Sequence, residues 1–272
     1  MALTLGTAEE LSSSTKGRVM VYADNGVGKS TFLATAEGKW LVMSALGENI
    51  KPYLSHSNIK VARVDTWDDI IGLLRKLRQN TMGLDGIGAD TLTRLMGFGL
   101  EKLTGVKRTP DQVMAYLLAP PKSARDYSVW EGLGFMGKEL VIQFNELPLH
   151  LVWLCQESTI QPKFDHDIIQ TVPLLPGNAA WKGIKDVVEI CGRLYVEGGE
   201  HPDGLATTGR DIDPNFVGTR RMLIGKHPRY FSKGPTHLLG YTIENPTWAK
   251  LLPGLTWKPM ETASEEPVLV EV

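Results

Sequence analysis

Apolar positions in this chain follow two rhythms. Val19-Met20-Val21-Tyr22, Trp40-Leu41-Val42-Met43 and Leu149 to Cys155 are near-continuous apolar runs of strand length, as expected for strands buried on both faces. Ile59 to Val64 alternates and predicts a further strand. Between these runs the period lengthens. Thr31 to Ala36 is helix-competent and stops at Gly38. A second helix begins at Asp65, with Asp68 three residues on and Ile70, Ile71, Leu74 and Leu77 at helical spacing. A long helix from about Tyr127 to Phe144 puts Val129, Trp130, Leu133, Met136, Leu140 and Phe144 on one stripe. Gly83 to Asp90 reads as a weaker strand, because glycine disfavours strands. This alternation predicts an α/β fold with a mostly parallel sheet and helices on both faces. Ligands of such sheets gather at the carboxyl ends of the strands, where Glu48, Asp90 and Gln156 all stand.

The remainder is less regular. Pro162, Pro173, Pro176 and Gly177 break residues 157–182 into an irregular stretch of the length functional loops have. Short strands follow at Val187 to Ile190, Arg193 to Val196 and Met222 to Ile224. The resulting division is a flexible lead-in over 1–16, a core over 17–233, and a small β-rich C-terminal extension over 234–272 with an acidic tail.

With 272 residues and 42% hydrophobic content, one main domain is expected. No apolar run approaches the ~20 residues that span a bilayer, and no basic-then-apolar segment opens the chain. The expectation is a soluble protein that stays in the cytoplasm, with no membrane partner. Cys155 and Cys191 lie in apolar runs and read as buried free thiols. A net charge of −2 means that nucleic-acid binding has to come from local patches.

Between the first strand and the first helix lies the most specific signal, Tyr22-Ala23-Asp24-Asn25-Gly26-Val27-Gly28-Lys29-Ser30-Thr31. Its strand–loop–helix context is that of a phosphate-binding loop. Gly26 and Gly28 free the backbone so that successive N–H groups can converge on phosphate oxygens. Lys29 supplies a point charge to the β- and γ-phosphates, and Ser30 a hydroxyl to Mg²⁺. Asp24 to Thr31 form the nucleotide-binding set. The motif G-x-x-x-x-G-K-[ST] has Ala23 in place of its first glycine.

Three polar residues are candidates for the chemistry. Asp90, 61 residues after Lys29, either joins Ser30 on Mg²⁺ or caps the next helix. Glu48, just past the second strand, is either the base that orients an attacking water or an exposed loop residue. Gln156 either senses the γ-phosphate or simply ends its strand.

The run Val27-Gly28-Lys29-Ser30, the strand ending near Glu48, Asp90-Thr91-Leu92-Thr93, Asp126-Tyr127 before a long helix, and Leu149 to Glu157 resemble phage RecA-like P-loop ATPases. More narrowly they are similar to the Sak-type single-strand annealing group and related phage nucleotide-binding proteins. The resemblance covers roughly residues 17–230. It implies a RecA-like P-loop NTPase core, ATP with Mg²⁺, single-stranded DNA bound through loops after the later strands, and a homo-oligomeric ring or filament in the host cytoplasm, with a single-strand DNA-binding protein as a further partner. The Lys-x-Arg pair that such proteins direct at a neighbour's nucleotide is replaced by Ser232-Lys233-Gly234-Pro235, leaving Lys233 or Arg229 for that task.

Single-stranded DNA is held by basic side chains along a groove with aromatic rings for stacking. Three stretches offer this: Lys107, Arg108, Lys122 and Arg125; Lys163 and Phe164 with Trp181 and Lys182; and the densest, Arg220, Arg221, Lys226, His227, Arg229, Tyr230 and Lys233. Solvated surface charge is the alternative for each. Asp165-His166-Asp167 reads as a polar loop rather than a metal site. The expected activity is DNA-stimulated ATP hydrolysis in phage recombination or annealing. The alternatives are a ring-forming motor or helicase loader, a small-molecule kinase with residues 107–125 as its lid, and a nucleotide-bound assembly protein.

Overall fold

A computed structural model describes residues 16–45, 47–118, 123–160, 169–176, 183–197 and 218–255. Nine strands form one mixed, mostly parallel sheet: β1 (Arg18–Ala23), β2 (Trp40–Ala45), β3 (Ile59–Val64), β4 (Gly86–Asp90), β5 (His150–Ile160), β6 (Gln170–Pro173), β7 (Ile190–Glu197), β8 (Thr219–Leu223) and β9 (Thr242–Glu244). The order is β3-β2-β4-β5-β1-β7-β8-β9, and β6 pairs with the far end of β5. β3 through β7 run parallel along this order, while β8, β9 and β6 are antiparallel to their neighbours. Strand β5 therefore stands between β1 and β4, bringing Ala23, Gln156 and Asp90 to one edge of the sheet.

The helices among the described residues include α1 (Lys29–Ala34), α2 (Trp67–Gln79), α3 (Leu92–Thr104), α4 (Pro110–Leu118), α5 (Ala124–Asn145), α6 (Thr236–Leu239) and α7 (Trp248–Leu255). Alternate strand residues feed two apolar clusters. One holds Met20, Met43, Ile87, Trp153 and Cys191 against α2, α3 and α5. The other holds Val21, Val42, Val152 and Leu194 against α1 and α7, including Ile243, Trp248, Leu251 and Leu255. The parallel strands are thus covered on both faces, as near-continuous apolar runs require.

Local chemistry sets the boundaries. Helix α2 starts one residue later than Asp65 implies: Thr66 is the N-cap, with Asp69 N–H donating to its hydroxyl at 3.1 Å and the Asp69 carboxylate accepting from Thr66 N–H at 2.9 Å. The glycines that weaken β4 on propensity are required by packing. A Cβ on Gly88 would lie 2.4 Å from Leu33 of α1, and one on Gly86 2.6 Å from the Trp40 ring.

Three expectations change. Val187 to Ile190 is not a separate strand: a helical turn at 183–187 leads into β7 at Ile190. Residues 157–182 are not irregular throughout. Strand β5 continues to Ile160 and β6 returns beside it in a hairpin stem, with Glu157 opposite Pro173 and Ile160 opposite Gln170. Helices α3 and α4 fill a stretch for which the apolar pattern predicts no element. Lys122, Lys163, Phe164, Asp165, His166, Asp167, Trp181 and Lys182 lie outside the described residues. Among the described residues no helix is long and apolar enough to cross a membrane.

Candidate phosphate-binding site

Residues between β1 and α1 form a tight loop in which Gly26 (φ +80°) and Gly28 (φ +106°) take left-handed backbone conformations that a Cβ disfavours. Asp24, Asn25, Gly26, Val27 and Gly28 make the loop, and Lys29, Ser30 and Thr31 open the helix. Lys29 is only 8% exposed, and its Nζ folds back to donate to Ala23 O and Asp24 O, both at 2.8 Å. Burial lowers its pKa, opposed by the nearby carboxylates of Asp90, Asp24 and Glu157. The cation is thus held by two loop carbonyls, with no acid in direct contact among the described residues.

Asp90, at the end of β4 and 4% exposed, is brought to the start of α1. Ser30 Oγ donates to its Oδ2 at 2.7 Å, and Tyr53 OH donates to the same oxygen at 2.6 Å. Burial raises the Asp90 pKa; the Tyr53 and Ser30 hydrogen bonds work against that rise. The helix that follows is capped by Thr91, whose side chain accepts from Arg94 N–H. Asp90 is therefore not the cap, and its carboxylate faces Ser30. Tyr53 was not legible as a site residue: Lys51–Tyr53 is a single 3-10 turn after β2, in a segment with no periodic pattern. Burial, with the adjoining Asp90 carboxylate, raises its pKa.

Glu48 stands three residues past the end of β2, near enough to Asp90 to contribute to that carboxyl's raised pKa. Its Oε1 accepts from Arg94 Nε of α3 at 2.6 Å, in a partly buried ion pair. Arg63 Nη1 donates to Glu48 O at 3.2 Å and to Ala45 O at 2.9 Å, fixing the turn that presents it. Arg94 was also missed in the sequence, since an arginine in the first turn of an unrecognised helix carries no motif.

Gln156 is tied by its backbone: its N–H donates to Thr93 Oγ1 and its carbonyl accepts from Leu174 N–H. Thr93 Oγ1 in turn donates to Leu174 O at 3.0 Å. The next residue, Glu157, accepts from Arg193 Nε of β7 at 3.1 Å. The Arg193 guanidinium lies 4.1 Å over the Tyr230 ring, and among the described residues its buried Nη1 has no hydrogen-bond acceptor.

The densest basic cluster is dispersed by the fold. Lys233 Nζ donates to Val188 O at 2.7 Å and Lys185 O at 3.1 Å, so its charge ties the segment after β8 to the turn preceding β7. Arg221 pairs with Glu197 at 2.5 Å and Glu244 at 3.5 Å. Arg220, the adjacent residue on β8, points to the opposite face and lies against Gly28. Lys226 and Arg229 are exposed near His227 and Tyr230. In the first basic stretch, Arg108 is bound to Thr104 Oγ1 and Val106 O and lies over Tyr116, while Val113 and Leu117 anchor α4 in the core.

Beside the loop is a hollow of about 170 Å³, lined by Gly28, Thr31, Thr35, Leu194, Arg220 and Asn245 with their neighbours. Among the described residues no group of three or more His, Cys, Asp or Glu is arranged to hold a metal ion. Mg²⁺ bound with phosphates needs no such group, because it keeps several waters and takes one or two protein oxygens. The hard oxygens of Ser30 and Asp90, already in hydrogen-bond contact at 2.7 Å, fit that requirement. No protein-family model matches this chain, and no curated protein matches it.

Proposed function

We propose that the chain is a RecA-like P-loop ATPase that binds ATP with Mg²⁺ and acts on single-stranded DNA, in phage recombination or strand annealing. The observation that carries this reading is the contact between Ser30 Oγ and Asp90 Oδ2 across 60 residues of sequence, beside a buried lysine held by carbonyls of its own loop. Two hydroxyls on one carboxylate oxygen at the mouth of a glycine-rich loop have no evident role in folding that an apolar pair could not fill. They suit a site prepared for a cation and its anionic ligand.

The residues divide the work as follows. Loop amides from Asp24 to Lys29 take the phosphates, and Lys29 exchanges its two carbonyl acceptors for phosphate oxygens. Ser30 and Asp90 would hold Mg²⁺, which when bound neutralises phosphate charge and thereby favours attack at the γ-phosphorus. Tyr53 fixes the Asp90 carboxylate from behind. Glu48 orients the attacking water, and the Arg94 pair sets where its carboxylate stands. Gln156, at the end of the strand between β1 and β4, relays nucleotide state to the β5–β6 hairpin, whose stem leads into the stretch holding Lys163 and Phe164. The engagement of Arg108 and the burial of Val113 and Leu117 favour this reading over a kinase with a mobile 107–125 lid.

The deciding experiment is ATP hydrolysis with and without single-stranded DNA, over a range of salt. DNA should stimulate turnover, with an affinity that falls steeply as salt rises. Absence of ATP binding removes the reading; turnover indifferent to DNA removes its second half.

A further inference from the structure

Arg220 and Arg221 are neighbours on β8 and, as strand residues, project to opposite faces. Arg221 is neutralised by Glu197 and Glu244. Arg220 has no ion pair or hydrogen bond from its guanidinium among the described residues, although its carbonyl accepts from Asn245 N–H at 2.7 Å. The guanidinium lies on the phosphate loop: a Cβ on Gly28 would come within 2.9 Å of Arg220 Nε and 3.1 Å of its Cζ. Arg220 is solvent-exposed there, a cation beside a glycine-rich loop with no acceptor among the described residues. The arrangement becomes favourable when an anion lies between.

The surroundings are consistent with a ligand rather than a packing defect. Arg220 and Asn245 line the hollow of about 170 Å³ together with Leu194, Thr31 of α1 and Thr35 just past that helix. Asn245 is held at φ +42°, unusual for a residue other than glycine. Its turn is pinned to α1 by Trp248 N–H donating to Thr35 Oγ1 at 2.8 Å. A strained turn fixed at both ends beside a phosphate loop gives a rigid, partly polar wall.

We infer that Arg220 is a nucleotide-binding residue acting within its own chain: it places its charge on the phosphates nearest the sugar and closes the hollow over the nucleoside. The inference rests on the nucleotide reading above, and moves Arg220 from the DNA surface to the phosphate loop. It assigns nucleotide affinity partly to the β8–β9 segment.

Binding of ATP, ADP and adenosine by the full chain, measured by calorimetry, tests it beside binding of a single-stranded oligonucleotide. Arg220→Ala should weaken ATP and ADP by about tenfold or more. Adenosine affinity should change far less, and DNA affinity should stay within about twofold. Arg220→Lys should recover part of the ATP loss, and an unchanged melting temperature without ligand excludes misfolding as the cause. Wild-type ATP affinity in Arg220→Ala, beside lost binding in Lys29→Ala, overturns this inference and leaves the nucleotide reading standing. A loss confined to DNA affinity also overturns it. Failure of the unaltered protein to bind ATP overturns both.

Discussion

Two cations near opposite ends of β1, the half-buried Arg18 and the buried Lys29, are held in contrasting ways. At the strand's start, Arg18 donates to Lys16 O, Leu149 O, Asn145 O and Leu147 O at 2.5–3.0 Å, and its own N–H donates to Glu189. At the strand's end, Lys29 has two carbonyls of the loop that presents it. Burial lowers both pKa values. Arg18 closes the loops below the sheet with its donor geometry satisfied by fixed backbone. Lys29 leaves one of its three ammonium protons outside those two bonds, which under the proposed function is free to meet a phosphate. A buried charge alone therefore says little; the origin of its acceptors separates a clamp from a binding group.

Exchanging the two roles should produce the largest effect. Lys29→Ala should reduce ATP affinity below detection in a titration while shifting stability by about 1 kcal/mol or less. Arg18→Ala should do the reverse, costing about 1–3 kcal/mol in denaturant unfolding because several partly buried carbonyls lose their donor. An Arg18→Ala protein of normal stability would erase the contrast.

Asp90 sharpens it from the acidic side. Its folded-state pKa is raised, so its contribution to stability is full below the unfolded carboxyl pKa and is lost as pH rises through the folded value. At neutral pH the ionised carboxylate therefore costs stability. Asp90→Asn should raise the melting temperature without nucleotide, yet abolish Mg²⁺-dependent ATP binding; a lowered melting temperature would refute the account.

Next in size is the glutamate. Glu48→Gln should retain ATP and lower kcat by about 10²-fold or more. Arg94→Ala should change kcat in the native background and have little effect once Glu48 is glutamine. Additive losses in the double variant would show that Arg94 acts elsewhere.

The smallest effect lies below the sheet, near Arg18. His150 stacks with Trp40 and meets Trp248 edge-on, and Gly17 N–H donates to its Nδ1. Burial, together with Lys16 and Arg18, lowers its pKa to about 4. The unfolded chain then binds the proton first, so stability is lost as pH falls from the ordinary histidine range toward 4. His150→Asn should flatten that part of the melting curve against pH.

Much of this was legible in the order of residues, for identifiable reasons. Strands β1, β2 and β5 are buried on both faces and so read as continuous apolar runs, and the strand–loop–helix arrangement of 19–36 follows from its apolar runs and glycines. Residues whose role depends on a distant partner were not legible. Tyr53 meets Asp90 across 37 residues and Arg94 meets Glu48 across 46, and neither separation leaves a local pattern. The basic cluster misled because sequence cannot tell which cations already have acceptors: Lys233 holds two carbonyls and Arg221 two carboxylates. The glycines of β4 misled in the other direction, since their cost as strand residues is outweighed by the clashes that Trp40 and Leu33 would otherwise suffer.

The hydroxyl of Thr93 accepts from Gln156 N–H and donates to Leu174 O. One small group thereby rivets the first turn of α3 to both arms of the β5–β6 hairpin. Tilting either arm breaks a buried bond unless the helix travels with it, so that turn and the hairpin root move as a single piece. Arg94 is the next residue on that turn, and the glutamate it grips is carried along.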